Sequence, residues 1–400
     1  MLAFADRLSN VQVSASTAMT DLARELIEAG QPVISLSSGE PDFPTPRHII
    51  EAAYQAALGG DTKYTAQNGT PALKRAIQRK FKRENRLDYA LDEIIVGNGG
   101  RQVIFNAIMA TCGKGDEVII PTAAWISYAD VTKLAGATPV PVTCPQNNGF
   151  RLRADDLAAA ITPRTRWLLL NFPNNPTGTA CRREDLAEIA QVMLRHPDIW
   201  ILTDDIYEHL LYDGFVFSTI AEVEPALKDR VLTMNGVSKA YAMTGWRLGY
   251  AGGPKALINA MGNMQGQTTG GVCNLAQAGA IAALDGPKDL VVERAAIYQE
   301  RRDAVLSWIG AMDGLTCHKP EGAFYVFPNI AGCLGKISKG GRRIDTDTDF
   351  VAALLAEKHV ATVQGSAYGM SPYVRISYAT SMAKLREGCG RIAEFCHELA

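Results

Sequence analysis

The sequence predicts an α/β fold: a mostly parallel, seven-stranded sheet in a large domain, joined to a smaller α+β domain. Three observations carry this. Between about residues 93 and 289, short β-rich apolar runs alternate with helical stretches, the pattern of crossover-connected parallel strands. Several of those runs are apolar throughout, as strands covered on both faces require. After about residue 290 the order changes to a long helix, a group of short strands and a last helix. A chain of 400 residues also exceeds what one compact core usually holds, so two domains are expected.

Taken in order, residues 1–32 read as an arm and a helix. Ser16 or Thr17 can cap the run 18–29, and Gly30 stops it. A short strand over 33–38 leads into GEPDFPTP, whose three prolines and glycine forbid regular structure. Helices fit 47–58 and 71–85. The strands of the large domain are expected at 94–97, 118–121, 138–142, 167–171, 199–203, 231–234 and 248–252. Helices such as 102–111, 183–195 and 255–264 separate them. The long helix 290–308 follows, then strands at 323–327, 361–364 and 374–378 and a helix over 382–399. The expected division is an arm over 1–45 packing with the small domain, a large domain over 46–289 and a small domain over 290–400.

Composition narrows the function classes. A formal net charge of -2 offers no electrostatic case for nucleic acid or an anionic membrane, and the densest basic patch, KISKGGRR, reads as a solvated loop. The 8 cysteines form no CxxC pair and the 6 histidines do not cluster with them, which argues against a structural zinc or a disulfide framework. No apolar segment approaches the length of a membrane span, and the first residues lack a secretory pattern. A cytoplasmic protein without a metal is expected.

Several stretches carry chemistry. In SKAYAMTGWRLGY, Lys239 lies among small residues, where a desolvated amine loses its charge more easily and can attack a carbonyl. GNGGRQ joins a strand to a helix, and free amides at a helix start favour an anion, although a plain tight turn explains the glycines equally. It is neither a GxGxxG fingerprint nor a Walker loop, because Gln102 stands at the third glycine position and no GK[ST] follows. Trp125 suits a core position or the face of a planar ring. NNPTG brings Asn175 to a strand's carboxyl end, where open α/β sheets bind ligands. WILTDD ends on Asp204 and Asp205, with Tyr207 just beyond. A carboxylate opposite a ring nitrogen favours the protonated ring. Arg375, inside the apolar run YVRISYA, needs an anionic partner, either an internal carboxylate or a ligand's.

Together GEPDFPTP, KYT, GNGGRQ, NNPTG, DDIYEH, SKAYAMTGWRLGY, PEGAFYVF and RISYA resemble, in order and over almost the whole chain, the class I aminotransferases of the pyridoxal-phosphate fold-type I superfamily. The subgroup they resemble most is the bacterial aspartate and aspartate/prephenate aminotransferases. The resemblance implies pyridoxal 5'-phosphate held as a Schiff base on Lys239, with Asp204 paired to its ring nitrogen. Tyr207 and Asn175 would bond its phenolic oxygen, and Trp125 would stack on the ring. The amides of Gly100 and Arg101, with Ser238 and Arg247, would hold the phosphate. Tyr64 would reach the phosphate of a neighbouring subunit, implying a homodimer. Gly39 and Arg375 would receive the substrate α-carboxylate. The implied reaction is ping-pong transamination of L-aspartate with 2-oxoglutarate.

The match has departures. Arg101 stands where the subgroup usually has a lysine that contacts the second carboxylate; the charge is kept and a fork is added. Gln12 replaces a lysine typical of prephenate-competent members, and Ser37 and Ser38 precede GEP where glycines are commoner. An aminotransferase with shifted substrates, prephenate as the oxo acid or an aromatic or other amino acid as the donor, and a β-lyase on the same cofactor are the alternatives. A non-catalytic effector domain of a transcription regulator would need a further DNA-binding module and a basic recognition helix, for which this chain shows no spare residues.

Overall fold

The computed structural model describes residues 5–8, 11 and 15–400. Its centre is a seven-stranded sheet built from β2 (Ile94–Gly97), β3 (Glu117–Thr122), β4 (Thr138–Thr143), β5 (Thr165–Asn171), β6 (Trp200–Asp204), β7 (Val231–Gly236) and β8 (Gly249–Gly252), in the order β2-β8-β7-β6-β5-β3-β4. Adjacent residues in each strand bury on opposite faces. Leu168 and Leu170 enter one core with Ile94, Val96 and Ile201, while Trp167 and Leu169 enter another with Ile95, Ile120 and Leu202. This is why the strands read as unbroken apolar runs.

Strand β8 is the exception to the parallel order, running antiparallel to both β7 and β2. The reason lies in the connection. Residues 237–248 hold no α-helix, only a 3-10 turn at Thr244–Trp246, so the chain cannot cross over and instead doubles back. Lys239 and Arg247 both lie on this return.

Helices flank the sheet: α2 (Arg47–Leu58), α3 (Pro71–Asn85), α4 (Gly100–Thr111), α5 (Ser127–Leu134), α6 (Ala154–Ala160), α7 (Arg183–Leu194), α8 (Ile220–Val223), α9 (Lys255–Gly266) and α10 (Asn274–Asp285). Helix α3 starts where the sequence says it must. Thr70 Oγ1 accepts from the Leu73 amide at 3.3 Å, and Pro71 occupies the first position, where no amide is needed. Helix α4 begins two residues earlier than the sequence predicts, because Gly99 at φ 85 turns the chain directly into Gly100. Helices α5, α6 and α10, absent from the sequence expectation, are short or weakly patterned.

The remaining residues build a second apolar core. It gathers Tyr298 and Val305 of α11 (Asp289–Ile309), Leu354 of α12 (Asp347–Lys358) and Leu385, Ile392 and Phe395 of α13 (Met382–His397). They cover an antiparallel sheet of β11 (Val363–Gln364), β12 (Val374–Ser377) and β9 (Tyr325–Val326). Near the N-terminus, α1 (Ala15–Glu28) precedes β1 (Ile34–Ser35), which pairs in parallel with β10 (Val360–Ala361). Helix α1 starts at Ala15, ahead of the expected Ser16 or Thr17 cap, and β1 is shorter than the span 33–38. The sequence run 361–364 divides into β10 and β11 around Thr362.

Candidate active site

Every residue that the resemblance assigns to the cofactor or the α-carboxylate, Tyr64 excepted, borders one cleft of about 460 Å³ at the carboxyl ends of β5 and β6. A larger cavity of about 620 Å³ lies around Arg86, Arg183 and Glu222. Arg86 and Arg183 are ion-paired to Glu222, and none of the residues with assigned chemistry borders it.

The strand register places the first group. Asn171, Asp204 and Met234 are cross-strand neighbours on β5, β6 and β7. Asp204 is buried. Its Oδ2 accepts from Tyr128 Oη at 2.7 Å and its Oδ1 from the Ile206 amide at 3.3 Å. Asn171 Nδ2 donates to the Asp204 carbonyl at 2.8 Å, and Asn171 Oδ1 accepts from the Asn175 amide at 3.0 Å. The two asparagine-bearing segments are thereby tied to the carboxylate's own backbone. Burial pushes the Asp204 carboxyl up to about 6, with Tyr128, the Ile206 amide and Lys239 pulling the other way. Asp205 points elsewhere, as period-two alternation requires. It accepts from Thr203 Oγ1 at 2.5 Å, and burial lifts it to about 8. The adjacent carboxylates thus serve different environments.

Lys239 sits on the β7–β8 return, and its Nζ donates to the Gly39 carbonyl at 2.5 Å. Burial brings the amine down to about 8; Arg375 and Arg247 act in the same direction, while Glu40 and Asp204 oppose. A part of the population is therefore unprotonated near neutral pH, the state a nucleophile or base requires. Glu40 is held by Thr244 Oγ1 at 2.8 Å.

The anion seat is equally legible in local structure. Helix α4 begins with no side-chain cap, so its first amides are free for a ligand. The Arg247 guanidinium lies across the turn: a Cβ on Gly99 would stand 2.5 Å from Arg247 Nη2. A Cβ on Gly249 would meet the Gly100 nitrogen at 2.3 Å, so only glycine there lets β8 approach the helix start. Ser238 is buried beside this seat, and Arg247 Nη1 is fixed by the Thr244 carbonyl at 2.8 Å. Free amides, a hydroxyl and a guanidinium are the donor set a phosphate takes.

Arg375, 2% exposed on β12, donates from Nη1 to Asn175 Oδ1 at 3.0 Å and from Nη2 to the Ser37 carbonyl. It lies against the rings of Tyr325 and Tyr368, at 4.6 and 5.2 Å from their centroids. Tyr207 Oη pairs with Tyr325 Oη at 2.9 Å, and burial raises the Tyr207 phenol well above its usual range. The Arg101 guanidinium lies 5.0 Å from the Trp125 ring, and burial lowers its pKa, with Arg247 adding to the effect. Ser37 Oγ sits 3.2 Å from Thr20 Oγ1 and 3.1 Å from Ser35 Oγ; Ser38 borders the cleft. Tyr64 stands apart, fully exposed. Gln12 lies outside the described residues.

Residues that sequence reasoning missed include Tyr128, Asn171, Tyr325 and Tyr368. Tyr128 carried a weak signal, three residues past Trp125 in PTAAWISY, and Asn171 ends its strand run. The partners of Tyr325 and Tyr368 are remote in sequence and have no local signature.

The chain is similar to known proteins along nearly its whole length. The family model for aminotransferase class I and II matches residues 31–392. An aspartate aminotransferase of Rhizobium meliloti is 54% identical over 396 residues, covering 99% of this chain and 97% of the relative. An aspartate/prephenate aminotransferase of Cereibacter sphaeroides is 52% identical over 400 residues, covering both chains completely. The crystal structure of the aspartate aminotransferase from Rhizobium meliloti superimposes with a TM-score of 0.97 at 53% identity over the full length of both chains. The Thermus thermophilus aspartate aminotransferase solved with maleate gives 0.92 at 38% identity, covering 99% of this chain and 100% of that one. On these matches and the fold, the chain belongs to the aminotransferase class I and II family and is an aminotransferase.

Proposed function

We propose that this aminotransferase exchanges the amino group of L-aspartate with 2-oxoglutarate, giving oxaloacetate and L-glutamate in a ping-pong sequence. The observation that carries the reading is the pair of guanidinium groups, Arg375 and Arg101, bordering one cleft around Lys239. A dicarboxylic amino acid has an anion for each. The relatives named for aspartate and the Thermus enzyme solved with maleate, a dicarboxylate, support the same substrate class.

The residues fit pyridoxal phosphate. Gly100, Arg101, Ser238 and Arg247 offer the phosphate donors, Asp204 a buried carboxylate for the ring nitrogen, and Tyr207 and Asn175 polar groups for the phenolic oxygen. Trp125 offers a ring face. Bound there, the cofactor supplies an electron sink for negative charge at the substrate α-carbon. Arg375 and the Gly39 backbone orient the α-carboxylate, which fixes the α-hydrogen toward Lys239. Lys239 Nζ, poised near neutrality by burial, takes that proton and returns it, as base and then as acid. Asp204 holds a proton at the ring nitrogen throughout.

The assembly we infer is a homodimer with shared sites. Ile50, Tyr54 and Leu58 recur on one face of α2 and are 49%, 55% and 64% exposed, an apolar stripe suited to a second copy, and Tyr64, a little further along the chain, is fully exposed. We divide the chain into a large cofactor-binding body over 46–289 and a small body over 290–400 joined by residues 1–45. Eight unpaired cysteines fit a reducing cytoplasm.

The test mixes the purified holoenzyme with aspartate and 2-oxoglutarate. Oxaloacetate and glutamate support transfer, whereas pyruvate and ammonia indicate elimination. Arg101→Ala should raise the aspartate KM by roughly 10- to 100-fold, the loss expected for one charged hydrogen-bonding partner. Unchanged aspartate kinetics in that variant would remove the dicarboxylate argument.

A further inference from the structure

Tyr128 makes the short bond to the buried carboxylate on which the proposed chemistry depends. Its hydroxyl donates to Asp204 Oδ2 at 2.7 Å, and the two residues are 3% and 4% exposed. The other carboxylate oxygen has only the weaker 3.3 Å contact from the Ile206 amide. A hydroxyl donor favours the ionised carboxylate, and in a dry site that preference is strong.

The placement of the phenol is rigid. Tyr128 lies in the first turn of α5, its amide bonded to the Trp125 carbonyl at 3.1 Å and its carbonyl to Thr132 Oγ1 at 2.8 Å. The Trp125 and Tyr128 rings meet edge to face, 5.4 Å apart at 90°. One helical turn therefore presents both the ring face and the carboxylate's clamp. The Ala124 amide anchors this turn to the Tyr368 carbonyl at 3.0 Å.

We propose that Tyr128 is a positioning residue for Asp204, which keeps that carboxylate ionised and aimed and so sets the proton affinity of the ring nitrogen it faces. The inference rests on the cofactor reading above. The charged and titratable groups that face this pair are Lys239 from the β7–β8 return, Tyr207 from the turn after β6 and, beyond Trp125, Arg101 of α4; the Asp205 carboxylate acts on Tyr128 through space while turned to Thr203. Asn171 of β5 and Met234 of β7 complete the surroundings with neutral groups. Only the Tyr128 hydroxyl and the Ile206 amide among these donate directly to the Asp204 carboxylate among the described residues.

Removing the hydroxyl raises the proton affinity of Asp204 by about tenfold, the value of one hydrogen bond to a charged group. The shared proton then moves toward Asp204. The ring nitrogen of a bound cofactor would then carry less positive charge, and Lys239 joined to it would keep its proton to higher pH.

The experiment is a titration of the visible absorbance of the reconstituted holoenzyme between pH 5 and 10, beside equilibrium dialysis of pyridoxal phosphate. Tyr128→Phe should move the absorbance midpoint up by about half a unit and weaken cofactor retention several-fold. A midpoint and a dissociation constant equal to those of the unmodified enzyme overturn the assignment. Should that variant not fold, 3-fluorotyrosine placed at position 128 keeps the ring and strengthens the donor. It should move the midpoint down, and no shift, or an upward one, overturns the assignment. If the unmodified protein takes up pyridoxal phosphate without developing a visible band, the cofactor reading itself fails, and this inference with it.

Discussion

Lys239 should destabilise the apoenzyme it serves. In the unfolded chain its amine has the ordinary pKa of 10.5, whereas burial brings it down to about 8 in the fold. That gap corresponds to about 3 kcal/mol of folding free energy. The sign follows from proton counts. Below pH 8 both states hold the proton, and the full cost of the buried ammonium is present. Between about 8 and 10.5 the folded state has released it while the unfolded state has not, so stability rises with pH; above 10.5 the cost is gone. Lys239→Met keeps the length and removes the charge. It also abandons the bond to the Gly39 carbonyl, worth about 1 kcal/mol. Near pH 7 the apo variant should therefore be more stable than the unmodified apoenzyme by about 2 kcal/mol, and near pH 10.5 the advantage should vanish or reverse by about 1 kcal/mol. Urea unfolding of both apoproteins at one fixed protein concentration, repeated from pH 7 to 10.5, measures the difference directly. A variant that is less stable at pH 7, or a difference that does not change with pH, would refute the reasoning.

Three further outcomes follow from the same geometry. Lys80 is wholly buried against Glu208, which also accepts from Asn85 at 2.6 Å and Asn235 at 2.8 Å. Lys80→Met should cost about 3–5 kcal/mol in denaturant unfolding, and a second change, Glu208→Leu, should recover part of it. Asp205 is raised to about 8, so the folded state holds a proton that the unfolded state has lost above about 4, and stability falls with pH across that window; Asp205→Asn should flatten the slope with a change at pH 4 of less than about 1 kcal/mol, read from unfolding curves between pH 4 and 8. Arg375→Lys keeps a charge but loses the fork, and steady-state kinetics should show kcat/KM for aspartate reduced by roughly 100-fold or more, with alanine affected similarly because its α-carboxylate is the same.

Much of this protein is legible in its sequence. The seven strands of the large sheet begin and end within about two residues of their sequence spans, because apolar runs bounded by turn residues leave little choice once both faces are covered. The start of α3 was fixed by Thr70 and Pro71. The site residues fall where their motifs led: Asp204 at a strand end, Lys239 on a return between strands, Gly100 at a helix start. Less was readable where one short element depends on another. Strand β1 has only Ile34 and Ser35, and its partner β10 is far along the chain, so neither end has a local signal. Helix α5 is eight residues long, and its apolar spacing is brief.

The sequence by itself determined the chemical parts: an amine in a small-residue return, a carboxylate and a phenol past a strand end, an uncapped glycine-rich helix start, and an arginine in an apolar strand. Those are local choices of residue and propensity, and local physics suffices to read them. The tertiary structure alone decided their partners. It turned Asp204 rather than Asp205 toward the cleft, because alternation separates the two but only the assembled sheet says which face is which. It brought Tyr128 to Asp204 across 76 positions of chain and Arg375 to Asn175 across 200, and packed Gly249 against Gly100. Such contacts arise from the registry of strands and the packing of two cores, which no single stretch of sequence contains.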